Sequence, residues 1–483
     1  MPIGYNAGGI VTPNTYNWVT GMDLDKPAID SKLTEPFGDQ TLDGMMSMIG
    51  AEKGVSALEY KHAEEKRIYP KLKATNGGAG GAGEAVTFTL VADAQQTINN
   101  SSPYLVSTPA NPVAGKNVVV PRKGETLMIK PVTGLATVDN SIYATVTDVN
   151  AATGTFVAIP LDAGDIIPSM AAAQEIIIIG NANGEGSIAV AGRQVEVEYK
   201  TNQLQTFRGG TEVTGDARNI VTWQEFTGKN GEKGHVNYLH GEAAEYKNFK
   251  SQMELTFLLG KPLTNTALAN VTNNPGFSFG TEHPVSMTKG LIPSILDEGN
   301  VSNYSATTGW DKQKAQALVE TLDKQKGDKK NMICPGISLS MQIDDTLADY
   351  RTSGSITYGN YTFDENAKAN FQFDAFNFGG YEFGKKVFNT FNDLQSLGAE
   401  GYGFPNEAMV IPMGMTMDKM DNAKTQYLRT RFLEDPRSGA RDRRSSIIDK
   451  FQVNGQDTFQ VNYIDKKGLE TFALNKFAYI KQA

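Results

Sequence analysis

Cysteine and histidine are scarce in this chain of 483 residues. Cys334 is the only cysteine, which excludes disulfides within the chain and zinc sites built from several cysteines. His235 and His240 are two of four histidines, and their spacing of five positions differs from the one-turn spacing of paired zinc ligands. The sequence therefore predicts no metal site and no cofactor. Cys334 is interpreted as a small buried apolar residue.

Long apolar runs are also missing. The apolar stretch from Ala173 to Gly180 has only the length of a strand, whereas a membrane helix needs roughly 20 residues. The chain opens on MPIGYNAGG, without a basic and then apolar leader. We therefore expect a protein that is made and kept in a cytoplasm, with no membrane partner. The formal charge of −9 argues against a surface devoted to nucleic acid.

Patterns typical of enzymes are absent or fail in their context. The stretch Gly78–Gly83 has the spacing GxGxxG, but a strand-like run follows it where a phosphate site needs a helix. We interpret it as a loop tip. Asp344 and Asp345 are neighbours on a predicted helix and point apart, and no GxSxG is present. The sequence predicts a protein that is not an enzyme.

The strongest positive feature is a helical pattern from His235 to Lys261. Its apolar residues recur every three or four positions, at Val236, Leu239, Ala243, Tyr246, Phe249, Met253 and Phe257. Gly260 and Pro262 mark its end. At about 1.5 Å per residue, this pattern predicts a rod of roughly 40 Å.

The residues before this rod are predicted to form an arm and a strand-rich insertion. Val55–Arg67 is predicted as a short charged helix, and Ile68–Thr75 as a strand that pairs with Gln194–Phe207 to form a two-stranded projection. Between them, residues 85–192 contain short strands with turn residues every eight to twelve positions. This spacing predicts a small β-barrel or sandwich, with a pattern typical of SH3-like barrels.

The residues after the rod are predicted to form a mixed α/β region and then further strands. Helices are predicted over Asp311–Lys326 and Ile337–Tyr350, and short strands at Met332 and Met409. The aromatic residues between Tyr358 and Phe391 are interpreted as core, although a sugar-stacking platform is an alternative. Strand patterns return between residues 451 and 480.

A cluster of arginines provides the candidate functional residues. Six lie within sixteen positions, interleaved with acidic residues: Arg429, Arg431, Arg437, Arg441, Arg443 and Arg444. A guanidinium group suits bidentate pairing with carboxylates across an interface, or with phosphates. Because acidic residues are interleaved, we predict contacts between subunits, with a solvated loop as the alternative.

The order of these parts resembles the major capsid proteins of tailed bacteriophages, the fold first described for the Hong Kong ninety-seven phage. The phrases Met287-TKGLIPSIL and Asn475-KFAYI are most similar to members from crAss-like phages. The resemblance implies an α+β capsid fold with an N-terminal arm, an extended β-loop, a long spine helix, an axial domain and an inserted barrel-like β-domain. The implied boundaries are 1–66 for the arm and short helix, 67–222 for the loop with its insertion at about 85–192, 223–262 for the spine, 263–430 for the axial domain, and 431–483 for the return to the peripheral domain.

The resemblance also implies a function and partners. It implies self-assembly into hexamers and pentamers of an icosahedral shell around double-stranded DNA, in a virion assembled in the cytoplasm of a bacterial host. The implied partners are copies of the chain itself, a portal, auxiliary or decoration proteins, and DNA bound without sequence specificity. The insertion departs from the minimal fold. A surface protein or adhesin that binds glycans through the insertion, and a hydrolase with dispersed carboxylates, are the alternatives.

Overall fold

The computed structural model describes residues 52–65, 72–90, 121–130, 140–150, 152–172, 174–187, 197–214, 226–227, 233–234, 237–264, 285–353, 375–394, 397–417, 424–434, 443–449 and 457–483. They fall into two compact units. The smaller unit contains Phe207–Gln252 and Arg443–Asp465, and the larger contains Met253–Asp442, Lys466–Ala483 and the described residues up to Thr206. The predicted N-terminal arm lies outside the described residues up to residue 51.

The secondary structure is mostly strand. The strands are β1 (Glu52–Val55), β2 (Glu59–Glu65), β3 (Leu72–Asn76), β4 (Val86–Leu90), β5 (Glu125–Ile129), β6 (Ile142–Asn150), β7 (Thr155–Pro160), β8 (Gln174–Asn181), β9 (Val197–Gln203), β10 (Gln205–Thr214), β11 (Phe226–Thr227), β12 (Lys233–Gly234), β13 (Asn300–Tyr304), β14 (Lys330–Pro335), β15 (Ala375–Phe378), β16 (Tyr381–Lys385), β17 (Ala408–Pro412), β18 (Met415–Met417), β19 (Lys424–Gln426), β20 (Leu428–Leu433), β21 (Arg443–Asp449), β22 (Thr458–Thr471) and β23 (Ala478–Gln482). The helices are α1 (Asn237–Leu259), α2 (Leu291–Glu298), α3 (Lys312–Lys324) and α4 (Ile337–Ser353).

The predicted helix over Val55–Arg67 is wrong, because Val55 ends β1 and Glu59–Glu65 forms β2. Strand β2 pairs with β9 in antiparallel register from Glu59 opposite Gln203 to Glu65 opposite Val197. The helix-forming residues of β2 are overridden by this ladder and by the burial of Tyr60 on one face.

The predicted pairing of Ile68–Thr75 with Gln194–Phe207, which contains β9, is also wrong. Leu72–Asn76 does not pair with β9 but with β4 and β8. A two-stranded ladder is therefore present, with β2 in place of the predicted strand over Ile68–Thr75. We call the pair β2–β9 the ladder.

The strand-rich region forms a closed six-stranded barrel in the order β3-β4-β7-β6-β5-β8, which confirms a barrel over a sandwich. Its first strand precedes the predicted start at residue 85. Side chains alternate between the interior and the outside, as in β4, where Val86, Phe88 and Leu90 are buried. Phe88 stacks on Phe156 with ring centroids 4.9 Å apart. The loop over Gly78–Gly83 joins β3 to β4, so the predicted loop tip is confirmed.

Helix α1 confirms the long helical pattern over the residues that the structure describes. Phe249, Met253 and Phe257 of the predicted apolar stripe are buried. In the smaller unit, the ring of Phe249 lies 6.0 Å from that of Tyr463 on β22. The helix ends before Gly260, where an added Cβ would lie 2.5 Å from the carbonyl oxygen of Thr256, so the stop requires glycine.

The larger unit also contains a mixed sheet in the order β13-β23-β17-β14-β16-β15. Helix α3 begins after Asp311, whose carboxylate accepts a 2.9 Å hydrogen bond from the backbone N–H of Lys314. Cys334 is fully buried on β14, as predicted. Tyr381 and Phe383 on β16 are also buried, so the predicted core role of this part of the aromatic stretch is confirmed. None of the helices in the described ranges is long and apolar enough to cross a membrane.

Candidate functional site

The most unusual group of side chains surrounds a buried carboxylate on β22. The side chain of Glu470 is 1% exposed and forms ion pairs with Arg429 and Arg431 of β20. Arg431 binds it with both ends of its fork, through Nε at 2.5 Å and Nη2 at 3.1 Å. Such bidentate, charge-assisted pairs are among the stronger hydrogen bonds in proteins.

The strand pairing explains how two arginines reach one carboxylate. Arg429 lies directly opposite Glu470 in the antiparallel ladder of β20 and β22, and Arg431 lies opposite Gly468. Residues two apart on a strand point to the same face. Both guanidinium groups therefore converge on Glu470.

Strand β2 adds three polar side chains to this group, again at alternate positions. Tyr60 donates a 2.6 Å hydrogen bond from Oη to the carbonyl oxygen of Leu469. His62 Nδ1 lies 3.4 Å from Glu470 Oε1, and its Nε2 lies 3.5 Å from Glu64 Oε1. Glu64 Oε1 also accepts a 2.6 Å hydrogen bond from the backbone N–H of Ala473. We call Tyr60, His62, Glu64, Arg429, Arg431 and Glu470 the ion cluster.

The aromatic ring of Phe472 covers one side of the ion cluster. The ring of His62 lies 4.4 Å from that of Phe472, and the guanidinium carbon of Arg429 lies 4.5 Å from the centre of the same ring. Charged groups next to aromatic faces are stabilised by the ring quadrupole. Phe472 thus covers the side chains of His62 and Arg429.

The electrostatics of the ion cluster favour its charged form. Burial raises the pKa of Glu470, but hydrogen bonds from His62, Arg431 and Arg429 outweigh burial and lower it to about 2. Burial likewise raises the pKa of Glu64, while His62, the N–H of Ala473 and the charge of Lys200 lower it overall. Burial lowers the pKa of His62, but Glu470 and Glu64 raise it above its ordinary value.

The ion cluster connects segments that are far apart in the sequence. The contacts join β2 to β20 and β22, and the hydrogen bond from Tyr60 to Leu469 spans 409 positions of the chain. Both carboxylates, Glu64 and Glu470, are bound by groups of the chain itself. The side chain of His62 is 13% exposed and that of Glu470 is 1% exposed. The geometry supports holding the ladder against β20 and β22.

The structure brings two of the six predicted arginines together. Arg429 and Arg431 meet at Glu470 within the chain. Arg443 and Arg444 lie on β21, opposite Asp465 and Ile464 of β22. Arg437 and Arg441 lie outside the described residues. The predicted role of the whole set in subunit contacts stays a prediction.

Sequence reasoning missed the other members of the ion cluster. His62 and Glu64 were assigned to a helix, and Glu470 carried no local pattern. The alternation of Tyr60, His62 and Glu64 is the feature that indicates one face of a strand. Their meeting with Glu470 depends on strand pairing across the chain.

The ladder presents a second, open face. Residues at the alternate positions of β2 and β9 lie on it, and Tyr199 is 69% exposed there, opposite Ala63. Within the described residues, β2 and β9 pair only with each other. A two-stranded ladder is only marginally stable alone, so its stability depends on what covers it.

Comparisons with known proteins give likenesses of fold only. No protein-family model matches the chain, and no curated protein matches it. Among solved structures, it is similar to the capsid asymmetric unit of Cyanophage A-1(L), at 10% identity and a TM-score of 0.34, over 63% of this chain and 84% of that one. It is also similar to a chain of Microbacterium phage Oxtober96, at 9% identity and a TM-score of 0.32, over 78% of this chain and 91% of that one.

A third likeness is to the capsid of Cyanophage P-SCSP1u, at 8% identity and a TM-score of 0.32, over 63% of this chain and 81% of that one. At these identities and TM-scores, the likenesses decide neither the family nor the function of the chain.

Proposed function

We propose that this chain is a major capsid protein of a tailed bacteriophage, most similar to those of crAss-like phages. Its role is structural and not catalytic. Copies assemble into hexamers and pentamers of an icosahedral shell that encloses double-stranded DNA. The chain is located in the virion capsid, and assembly takes place in the cytoplasm of a bacterial host.

The observation that carries the proposal is the half-covered ladder. One face is fixed by the ion cluster, whereas the other carries Tyr199 at 69% exposure together with Lys61 and Glu59, which are about half exposed. A two-stranded ladder with one uncovered face gains stability when a neighbouring copy lies on that face. This is the property expected of a shell subunit.

The order of elements supports the same proposal. The ladder and barrel come first, the 23-residue helix α1 follows, and then the sheet of β13, β23, β17, β14, β16 and β15 with its helices. This is the order that the sequence resemblance implies for loop, spine and axial domain, except that β23 joins this sheet although the implied boundaries assign residues 431–483 to the peripheral domain. The domain boundaries given above belong to the proposal.

The proposed partners are other copies of the chain, a portal protein, auxiliary or decoration proteins, and DNA held without sequence specificity. The six arginines from Arg429 to Arg444 were predicted to bind neighbouring subunits. Because Glu470 already binds Arg429 and Arg431, we assign this role to Arg437, Arg441, Arg443 and Arg444.

Negative-stain microscopy of the purified full chain tests the proposal, with Tyr199→Asp as the variant. We expect closed shells or capsomer rings from the unmodified chain and their loss in Y199D, since the aromatic ring is lost and an unpaired charge would have to be buried in the contact. Tyr199→Phe is the matched control and should assemble. Y199D should keep its circular dichroism spectrum, because Tyr199 is 69% exposed.

Particles that remain single 52.3 kDa chains at all concentrations would contradict the capsid proposal. Shells that form equally well from Y199D would retain the capsid proposal but remove the ladder face from the contact. The two outcomes therefore test separate parts of the account.

A further inference from the structure

The attachment of the ladder depends on a small number of polar contacts. Tyr60 Oη and Asn202 Nδ2 both donate to the carbonyl oxygen of Leu469, at 2.6 and 2.7 Å. Asn202 Nδ2 also lies 3.1 Å from the carbonyl oxygen of Lys289. Glu64 accepts from the backbone N–H of Ala473, Lys200 binds Glu298, and His62 contacts Glu470. Of these groups, only histidine changes charge between pH 5 and 8.

His62 lies between two carboxylates, so its neutral and its charged ring interact differently with them. Nδ1 faces Glu470 at 3.4 Å and Nε2 faces Glu64 at 3.5 Å. A neutral imidazole has one N–H, so one ring nitrogen would turn a lone pair toward a carboxylate. An imidazolium turns an N–H toward each carboxylate. Nε2 is buried without a hydrogen-bond partner, so it is the negative charge of the two flanking carboxylates that favours the charged ring.

The charged groups that face His62 come from each neighbouring strand. Glu64 lies on its own strand, and Glu470 on β22. Lys200 on β9 is its register partner and binds Glu298 of α2 through Nζ at 2.8 Å. Arg429 and Arg431 on β20 bind Glu470. Arginine and lysine keep their charge across the range in which His62 titrates.

Neither arginine of the ion cluster binds Glu64, so the stabilisation of the Glu64 carboxylate depends in part on His62. Both arginines are bound to Glu470, whereas Glu64 is bound by the backbone N–H of Ala473 and faced by His62. When the ring loses its proton, Glu64 keeps the backbone hydrogen bond and the charge of Lys200 but loses the cation 3.5 Å away. Burial makes this loss more costly than it would be at the surface.

We propose that His62 is a protonation-dependent latch, which fixes the ladder to β20 and β22 when the ring is charged and loosens it when the ring is neutral. The inference concerns the chain itself and stands whether or not the chain builds a capsid.

The direction of the pH response follows from the pKa values of the ion cluster. The pKa of His62 is raised above 6.5, so its stabilisation is complete below 6.5 and is lost as pH rises through the raised value. The pKa of Glu470 is lowered from 4.5 to about 2, so its stabilisation is complete above 4.5 and is lost as pH falls toward 2. The latch is therefore closed between about pH 5 and 6.5 and loosens on both sides.

Hydrogen–deuterium exchange of the full chain between pH 5.5 and 9 tests the latch. After correction for the intrinsic pH dependence of exchange, we expect protection of residues 59–65 to fall with rising pH, by about tenfold for each unit by which the pKa of His62 exceeds its ordinary value. Strands β14 and β17 serve as the internal reference. His62→Gln should abolish the pH dependence in residues 59–65.

The chain offers a matched control, because it has only three other histidines. A triple variant with His235→Gln, His240→Gln and His283→Gln should keep the full pH dependence. Unchanged ladder protection across this pH range in the unmodified chain, or pH dependence that survives His62→Gln, would overturn the proposal.

A second measurement decides the case if His62→Gln does not fold. With ¹³C-labelled histidine, the triple variant gives a single ring resonance, and its titration reports the pKa of His62 directly. A value above 6.5 supports the latch. A value below 6.5 overturns it.

Discussion

The barrel lies in the sequence between the two strands of the ladder, and the two regions are stabilised in opposite ways. The barrel closes on itself around an apolar interior that includes Leu72, Phe88 and Phe156, each no more than 1% exposed. The ladder has two strands and is fixed through the ion cluster. A closed sheet supplies its own core, whereas an open ladder depends on contacts that change with protonation and with the binding of neighbouring copies of the chain.

The largest expected effect is in the barrel. Phe88→Ala removes a fully buried ring that stacks on Phe156, and such truncations cost about 3–5 kcal/mol. Native-state hydrogen exchange should show faster opening of β3–β8, with β2 unchanged. Phe88→Leu is the control and should cost less than about 2 kcal/mol. Faster exchange in barrel and ladder together would show that the two are one cooperative unit.

The next effect is in the ion cluster. Glu470→Gln leaves Arg429 and Arg431 without their carboxylate and should weaken protection of β20 by about 3 kcal/mol, as exchange can measure. The matched control is Glu382→Gln, since Glu382 is about half exposed and 3.6 Å from Lys330, and its loss should cost less than about 0.5 kcal/mol. Equal effects from the two variants would remove the special role of the buried carboxylate.

Acid should destabilise the ladder attachment more than the barrel. Because the pKa of Glu470 is about 2 in the folded chain and ordinarily 4.5, lowering the pH from 5 to 2 removes up to about 3 kcal/mol from the ladder attachment. The buried interior residues Leu72, Phe88 and Phe156 of the barrel do not titrate, so the exchange of the strands that carry them should change less. Acid-induced opening of the barrel before the ladder would contradict this assignment.

A smaller effect is expected at Tyr60. Tyr60→Phe removes the hydrogen bond to the carbonyl oxygen of Leu469, which keeps its 2.7 Å hydrogen bond from Asn202. The cost should be about 1 kcal/mol in the exchange of β2. Tyr199→Phe, on the exposed face of the same ladder, is the control and should leave exchange unchanged.

The smallest effect is expected on the barrel surface. Asp148 forms a 2.6 Å ion pair with Lys123, and both side chains are about two-thirds exposed. Asp148→Asn should leave the exchange of β5 and β6 unchanged, because solvent screens exposed pairs. A clear loss of protection would show that surface charge also contributes to the barrel.

Local periodicity made part of the fold predictable from the sequence. The three- and four-residue spacing through Phe249, Met253 and Phe257 gave α1, and Asp311 and Gly327 bracketed α3. Regularly spaced turn residues indicated the barrel. These features depend on residues close together in the sequence, which is why they can be read without a partner strand.

Strand pairing over long distances was not predictable. The segment around His62 has helix-forming residues, and only its ladder with β9 and its contact with Glu470 make it a strand. The same limit applies to the ion cluster. Arg429 and Arg431 were identified from their density, but their common partner lies about forty positions away on β22.

Sedimentation velocity of the purified full chain, from dilute to concentrated solution, measures whether copies of the chain assemble. The account predicts a discrete, fast-sedimenting species of many subunits that grows at the expense of the 52.3 kDa chain as concentration rises. A single species of 52.3 kDa at every concentration would contradict it.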